Sequence, residues 1–176
     1  MLKRLRRFRD ARSGMAAVEF ALVLPVMMVL AFGAIEVTDA LICKTNVSDT
    51  ASTAADLIAQ ESSVGTTDMN NVFSALTALV YPFPTTGLRV VITSVIDDGK
   101  GGAKVGWSQA NSGSGYTTGT AITVPTGLVT TGGSVIMAEV TYSYTPPSSW
   151  LVQLPITMSN TFYSHPRRVS QIKWTS

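Results

Sequence analysis

The chain has 176 residues, of which 45% are apolar and only 14% charged, and its mean hydropathy is +0.27. This composition excludes a disordered tail, and a single cysteine excludes a disulfide scaffold. The formal net charge of +2 is unevenly placed, because six basic residues and one aspartate lie within the first fourteen positions. The remainder has no basic surplus, so the composition gives no support to nucleic-acid binding.

Residues 15–35 form an apolar run interrupted only by Glu19. A helix of this length covers about 30 Å, the thickness of the hydrocarbon core of a bilayer. Basic residues precede the run and mostly acidic ones follow it, so the positive-inside rule predicts a cytoplasmic N-terminus. The competing interpretations are a cleaved secretory signal, a plain anchor and a buried core helix. The run is longer than a typical secretory signal, and the basic leader serves no purpose for a core helix.

Glu19 is the residue that distinguishes these interpretations. A carboxylate near the start of a membrane span costs about 3 kcal/mol unless something compensates for it, although it can also reach the interface as a lone side chain. If the chain is cut after Gly14, Met15 gains a positive amine. Glu19 lies four residues further, about 6 Å along the helix axis. In a staggered bundle of such helices, Glu19 of one subunit can pair with the amine of a neighbour and fix the register.

The string GMAAVEFALVLPVMM, from Gly14 through Phe20 and Pro25, resembles the processing site of type IV prepilins. With Glu36 just beyond the span, it is most similar to the TadE-like minor pseudopilins of the tight adherence (Tad/Flp-type) pilus, within the type IV filament superfamily. The resemblance is specific over residues 3–42. Pro25 removes one helical hydrogen bond and is either an incidental kink or a point at which the helix bends during assembly.

The resemblance implies removal of a basic leader, residues 1–14, by a prepilin peptidase. It implies that residues 15–35 stay as a transmembrane helix in the bacterial inner membrane and that residues 36–176 form a periplasmic head. The implied site residues are Gly14 and Met15 for cleavage, and Glu19, Phe20 and Pro25 for assembly. The implied partners are the peptidase, other pilins and minor pseudopilins, the inner-membrane assembly platform and the lipid bilayer. The implied role is to prime or cap the pilus, into whose surface filament the subunit is incorporated.

Beyond the span, residues 40–58 carry an apolar stripe at steps of three or four, which predicts an amphipathic helix continuing the membrane helix. Gly65 is predicted as its C-cap and Thr67 or Asp68 as the N-cap of the next helix. That second helix has one apolar face and ends before the prolines; its apolar residues are Met69, Val72, Phe73, Leu76, Leu79 and Val80.

Four β-rich segments follow, at residues 88–96, 103–109, 134–145 and 156–164. The first two are joined by Asp97-Asp98-Gly99-Lys100-Gly101-Gly102, which predicts a hairpin turn, with calcium binding as the weaker alternative. Residues 110–133 are rich in Gly and Thr and are predicted to form a long loop with a short strand at 121–124. The sequence therefore predicts an α+β fold, a long helix packed on a small antiparallel sheet.

The residues give no support to catalysis or to a cofactor. Cys43 lies on the apolar stripe and is predicted to be buried, and His165 is predicted to lie on the surface without metal ligands around it. Six aromatic residues are predicted to fill the sheet or core rather than form an adhesive surface: Trp107, Tyr116, Tyr142, Tyr144, Trp150 and Trp174. The leading hypothesis is a processed pseudopilin without enzymatic activity. The alternatives are a single-span envelope protein presenting a binding module, and a secreted enzyme cleaved near Ala34.

Overall fold

The computed structural model describes residues 13–146 and 154–175, and its elements fall into one long helix, one short helix, a single 3₁₀ turn at Thr85–Gly87 and six strands within those ranges. The predicted leader lies outside the described residues except for its last two positions. In chain order the elements are α1 (Ser13–Ala59), β1 (Ser63–Gly65), α2 (Thr66–Leu79), β2 (Leu88–Asp97), β3 (Ala103–Ala110), β4 (Ser134–Tyr144), β5 (Ile156–Ser164) and β6 (Lys173–Thr175).

Helix α1 runs without a break for 47 residues, a length of about 70 Å. Pro25 lies inside it and does not end it. The predicted membrane helix and the predicted amphipathic helix are therefore one rod. Its C-terminal part packs on the sheet through small side chains that are fully buried, namely Cys43, Ala51, Ala54 and Ala55. Small residues let the helix axis approach the sheet closely, as the stripe predicted.

The connection after α1 differs from the prediction at Gly65. Gly65 is not the C-cap of α1, which ends at Ala59, but the N-cap residue of α2. Asp68 lies at the third helical position, and its Oδ2 accepts a hydrogen bond of 2.9 Å from the Gly65 N–H. The prediction that Thr67 or Asp68 caps α2 is wrong by about one turn, because the acidic side chain reaches back to the chain that enters the helix.

Strands β3, β2, β4 and β5 form an antiparallel sheet in that spatial order, with β5 outermost on one side. Side chains alternate between the two faces, as in any pleated sheet. The face with Val90, Ile92, Ala138 and Val140 packs against the two helices. The predicted α+β fold is confirmed, and the four predicted strands are all present with bounds that differ by one residue at most.

The second face of the sheet is covered by the segment predicted to be a long loop. Ile122, Val124 and Val129 pack there on a cluster of Val95, Val135 and Met137. The short strand predicted at 121–124 is reduced to a single bridge between Lys104 and Ala121. Residues 110–133 are therefore a packed cover rather than a free loop.

The C-terminal segment closes the end of the head far from the membrane helix. The Trp107 indole N–H donates to the Ile172 carbonyl at 2.8 Å, and its ring lies 5.6 Å from that of Trp174. Strand β6 pairs in parallel with β1, and neither three-residue strand was predicted. An exposed ion pair between Arg167 and Asp56 also joins this segment to α1. Such exposed pairs contribute about 0–1 kcal/mol, so the ion pair adds less to this attachment than the buried tryptophan contact.

Two neighbouring tyrosines of β4 give a matched test of the core. The Tyr142 hydroxyl donates to the Pro84 carbonyl at 2.8 Å, whereas the buried Tyr144 hydroxyl has no hydrogen-bond partner among the described residues. Tyr142→Phe should lower the free energy of unfolding by about 1 kcal/mol, and Tyr144→Phe should leave it unchanged or raise it slightly. Urea denaturation of the full chain in micelles measures both. Equal losses would contradict this assignment.

Burial also predicts a loss of stability at alkaline pH. Desolvation raises the pKa of the Cys43 thiol from 9.0 to about 11 and raises the pKa of Tyr142 and Tyr144. Below pH 9 the thiol is neutral in both states. Between pH 9 and 11 only the unfolded chain ionises, so the free energy of unfolding should fall as the pH rises. Urea midpoints at pH 8 and pH 10.5 should differ less in Cys43→Ala than in the natural chain.

Candidate membrane and assembly surface

The first half of α1 has no protein cover. None of the side chains from Gly14 to Ile35 is buried, although most are large and apolar; Leu22 is 72% exposed, Leu30 68% and Met15 66%. The helix is long and apolar enough to cross a membrane, and its most apolar window has no buried residue. A core helix of a soluble domain would be largely buried, so the core-helix interpretation is wrong for this segment.

Glu19 is the only charged side chain between Gly14 and Ile35, and it lies on the exposed surface of the helix. No described residue forms a hydrogen bond or an ion pair with it. Phe20 is 59% exposed beside it. Met15 and Glu19 are one helical turn apart and so lie on the same side of α1. The structure thus leaves Met15 and Glu19 on one open side of the helix and Phe20 exposed about 100° round from Glu19, where neighbouring helices can reach them.

Gly14 imposes no requirement of its own on the fold. A Cβ atom built at this position meets no atom of the described residues within 4 Å, and the φ angle of Gly14 is not in the left-handed region. A larger side chain would therefore fit on the helix without strain. Any requirement for glycine at this position must come from a molecule that acts on the chain.

Burial of α1 by the rest of the protein begins one residue after Ile35, at Glu36. Glu36 is only 5% exposed, Asp39 and Ala40 are half-buried, and Cys43 is fully buried. Glu36 is close enough to add its negative field to the burial that raises the Tyr144 pKa. The head therefore meets α1 at residue 36, directly after the predicted membrane span.

The other candidate sites have structural explanations. In the turn between β2 and β3, Asp98 Oδ1 accepts from the Lys100 and Gly102 N–H groups at 2.7 and 2.8 Å. These two bonds lower the pKa of Asp98. Asp97 accepts from the Gly99 and Gly132 N–H groups in the same way. The hairpin-turn interpretation is confirmed, with the carboxylates used to order backbone.

The isolated reactive side chains also lie where the sequence predicted. Cys43 is fully buried, and His165 is exposed after β5. The described residues contain no group of three or more side chains that could hold a metal ion. Among the aromatics, Trp107, Tyr142 and Tyr144 are buried and Trp174 is half-buried, whereas Tyr116 is 43% exposed. Trp150 lies outside the described residues.

Comparison with known proteins gives a match to a protein family. No curated protein and no solved structure matches the chain. The family model described as TadE-like protein matches residues 14–56. This indicates involvement in the Tad pilus, and with it contact with other pilus components. The match begins at Gly14 and covers the exposed part of α1 together with most of the part that packs on the sheet. Over residues 14–56, the chain is thus similar to the TadE-like family.

Proposed function

We propose that this protein is a minor pseudopilin that primes or caps assembly of a Tad-type adhesion pilus. The observation that carries the proposal is the bare apolar half of α1, with Glu19 as its only charge, rigidly continuous with a folded head. Before assembly, this half spans the inner membrane with its N-terminus in the cytoplasm and the head in the periplasm. On incorporation, the same surface passes from lipid to the helices of neighbouring pilins.

The proposed entry into the filament starts with a prepilin peptidase that cuts between Gly14 and Met15. The new amine of Met15 then lies one turn from Glu19 on an open face. Two charges that are costly singly in an apolar environment become a compensated pair when a neighbour supplies the opposite one. The proposal requires no catalytic step by this chain, and the assembly platform is the partner that moves it out of the bilayer.

The second candidate is a single-span envelope protein with an uncut anchor that presents its head to a partner. The same rod and head support it, since an anchor needs the length and apolarity of residues 15–35 and nothing else. Glu19 is unexplained in this alternative, because its charge weakens an anchor that never meets a partner amine.

The mass of the mature chain separates the two candidates. Protein extracted from membranes of cells with an active prepilin peptidase should begin at Met15, and protein from peptidase-deficient cells should begin at Met1. Gly14→Val should block the cut without changing the fold, because the position has free space around it. Recovery of chains beginning at Met1 from both kinds of cell would favour the uncut anchor.

A further inference from the structure

An apolar collar surrounds α1 where the head begins. It consists of Val37, Leu41 and Ile42 on the outer face of the helix and Leu154 and Ile156 on the head. Their exposed fractions are 60%, 61%, 43%, 75% and 37% in that order. All five are aliphatic, and none was singled out by the sequence. The helix part and the head part lie far apart in the chain, so the fold brings them to one level.

Two contacts, one in β5 and one just after it, set the height of Leu154 and Ile156 along α1. Asn160 Nδ2 donates to Ser48 Oγ at 2.7 Å, and the Arg167 N–H donates to the Ala59 carbonyl at 2.8 Å, so β5 runs along α1 in the same direction. Ile156 lies four residues before Asn160, about 13 Å nearer the membrane. This distance corresponds to about nine helical residues, which places Ile156 beside Asp39. Leu154 lies closer still to the predicted span.

The length of the apolar helix surface gives the depth of the collar. From Met15 to Ile42 the outer face of α1 covers about 42 Å at 1.5 Å per residue. The hydrocarbon core is about 30 Å thick, and the bilayer with its headgroup layers about 40–45 Å. With residues 15–35 filling the core, Val37, Leu41 and Ile42 fall in the headgroup layer, and the collar continues the membrane-spanning surface. The exposed Thr38 between them donates its hydroxyl to the Ala34 carbonyl at 2.8 Å, so its polar group is already satisfied by the helix.

We propose that the collar is seated in the interfacial layer of the periplasmic leaflet, so that the head rests on the lipid surface. Phospholipid is the occupant, at the boundary between headgroups and acyl chains, where buried aliphatic side chains gain the most. This inference rests on the membrane anchoring in the proposed function, and it adds that the head has a fixed height before assembly.

The test uses the full chain at one copy per nanodisc of phosphatidylcholine and phosphatidylglycerol. In a Cys43→Ala background, Leu154→Cys carries an environment-sensitive nitrobenzoxadiazole dye. Lys100→Cys, at the exposed turn at the far end of the sheet, is the matched control. We expect blue-shifted emission at position 154 and at least threefold stronger quenching by lipids with a nitroxide near the headgroup than at position 100. Leu41→Cys should behave like Leu154→Cys.

Three outcomes would overturn the proposal. One is equal quenching of positions 154 and 100 by a water-soluble quencher. Another is a dye at position 154 that becomes shielded only after other pilins are added, which would assign the collar to a protein partner. A third is a natural chain that fails to float with liposomes, which would remove the anchor and with it the proposed function. Chains that float but show an aqueous collar would remove only this inference.

Discussion

Replacing Glu19 with alanine should leave membrane insertion intact and strongly reduce incorporation into pili. The carboxylate lies on the open face of α1 and has no partner among the described residues, so the fold does not need it. Its removal makes the span more apolar by about 3 kcal/mol, and insertion should be as efficient or better. Loss of the pairing group leaves the Met15 amine of a neighbour uncompensated in an apolar bundle. We expect at least a tenfold drop in the amount recovered with sheared pili.

The measurement is quantitative immunoblotting of sheared filaments and of washed membranes from the same cells. Ser48→Ala is a useful control, because it removes one contact of the head and leaves the span unchanged. Glu19→Asp keeps the charge and should restore part of the incorporation, since the shorter side chain still reaches a neighbouring amine. If Glu19→Ala enters pili as efficiently as the natural chain, the pairing role assigned to Glu19 is wrong.

Trp107→Ala should be the most destabilising single change in the head, at about 3–5 kcal/mol. The indole is only 7% exposed, packs against Trp174 and donates to the Ile172 carbonyl. Truncation therefore leaves a large cavity and an unsatisfied carbonyl at the point where the C-terminal segment is attached. Urea denaturation of the full chain in micelles, followed by circular dichroism, gives the change in free energy.

A local readout tests where this damage occurs. Amide hydrogen exchange in Trp107→Ala should speed up first in β6 and in its partner β1, because their pairing depends on the anchored C-terminal segment. Tyr116→Ala, at an aromatic that is 43% exposed, should cost less than about 1 kcal/mol. Comparable losses from Trp107→Ala and Tyr116→Ala would show that the indole contact does not hold the segment.

Much of the fold could be predicted because its long elements have clear periodicity. The stripe on α1 has the helical spacing, and β2 and β4 are runs of β-branched residues bounded by turn residues. The three-residue strands β1 and β6 carry no such pattern. They exist because the C-terminal segment is brought beside Val64 by the packing of Trp107 and Trp174, which is a tertiary effect.

The burial of the second sheet face is indicated by the sequence of β2, but the Gly- and Thr-rich composition of residues 110–133 does not indicate which segment covers that face. Six of the ten residues of β2 are apolar and they occur on both faces, with Val91, Thr93 and Val95 buried on the face away from the helices. A strand that is apolar on both faces has to be buried on both. The long segment that covers it is residues 110–133, whose many Gly and Thr residues favour a loop and conceal the spaced apolar residues Ile122 and Val124.

The candidate site was predictable only in its linear part. Gly14, Glu19 and the apolar run are contiguous in the sequence, and the helix keeps them in order on one rod. The collar could not be predicted, since Leu154 and Ile156 acquire their position from β5 running beside α1. No role can be assigned to an exposed leucine beside a proline until the height of that segment above the membrane is known.

The outermost position of β5 has a consequence for self-association. Its nine residues carry no charge, and none of the backbone groups on its outer side is paired with a described residue. An uncharged edge strand with unpaired backbone groups normally tends to pair with a strand of a second molecule. Helix α1 lies flat on the sheet, because one side of it is buried there along its length from residue 43 to residue 58, through Cys43, Val47, Ala51, Ala54, Ala55 and Ile58. Antiparallel joining of two such strands requires a twofold axis perpendicular to the sheets, and that axis would point the two rods in opposite directions. Two chains rooted in the same bilayer share one direction, so the anchor itself prevents this dimer for as long as the protein stays in the membrane.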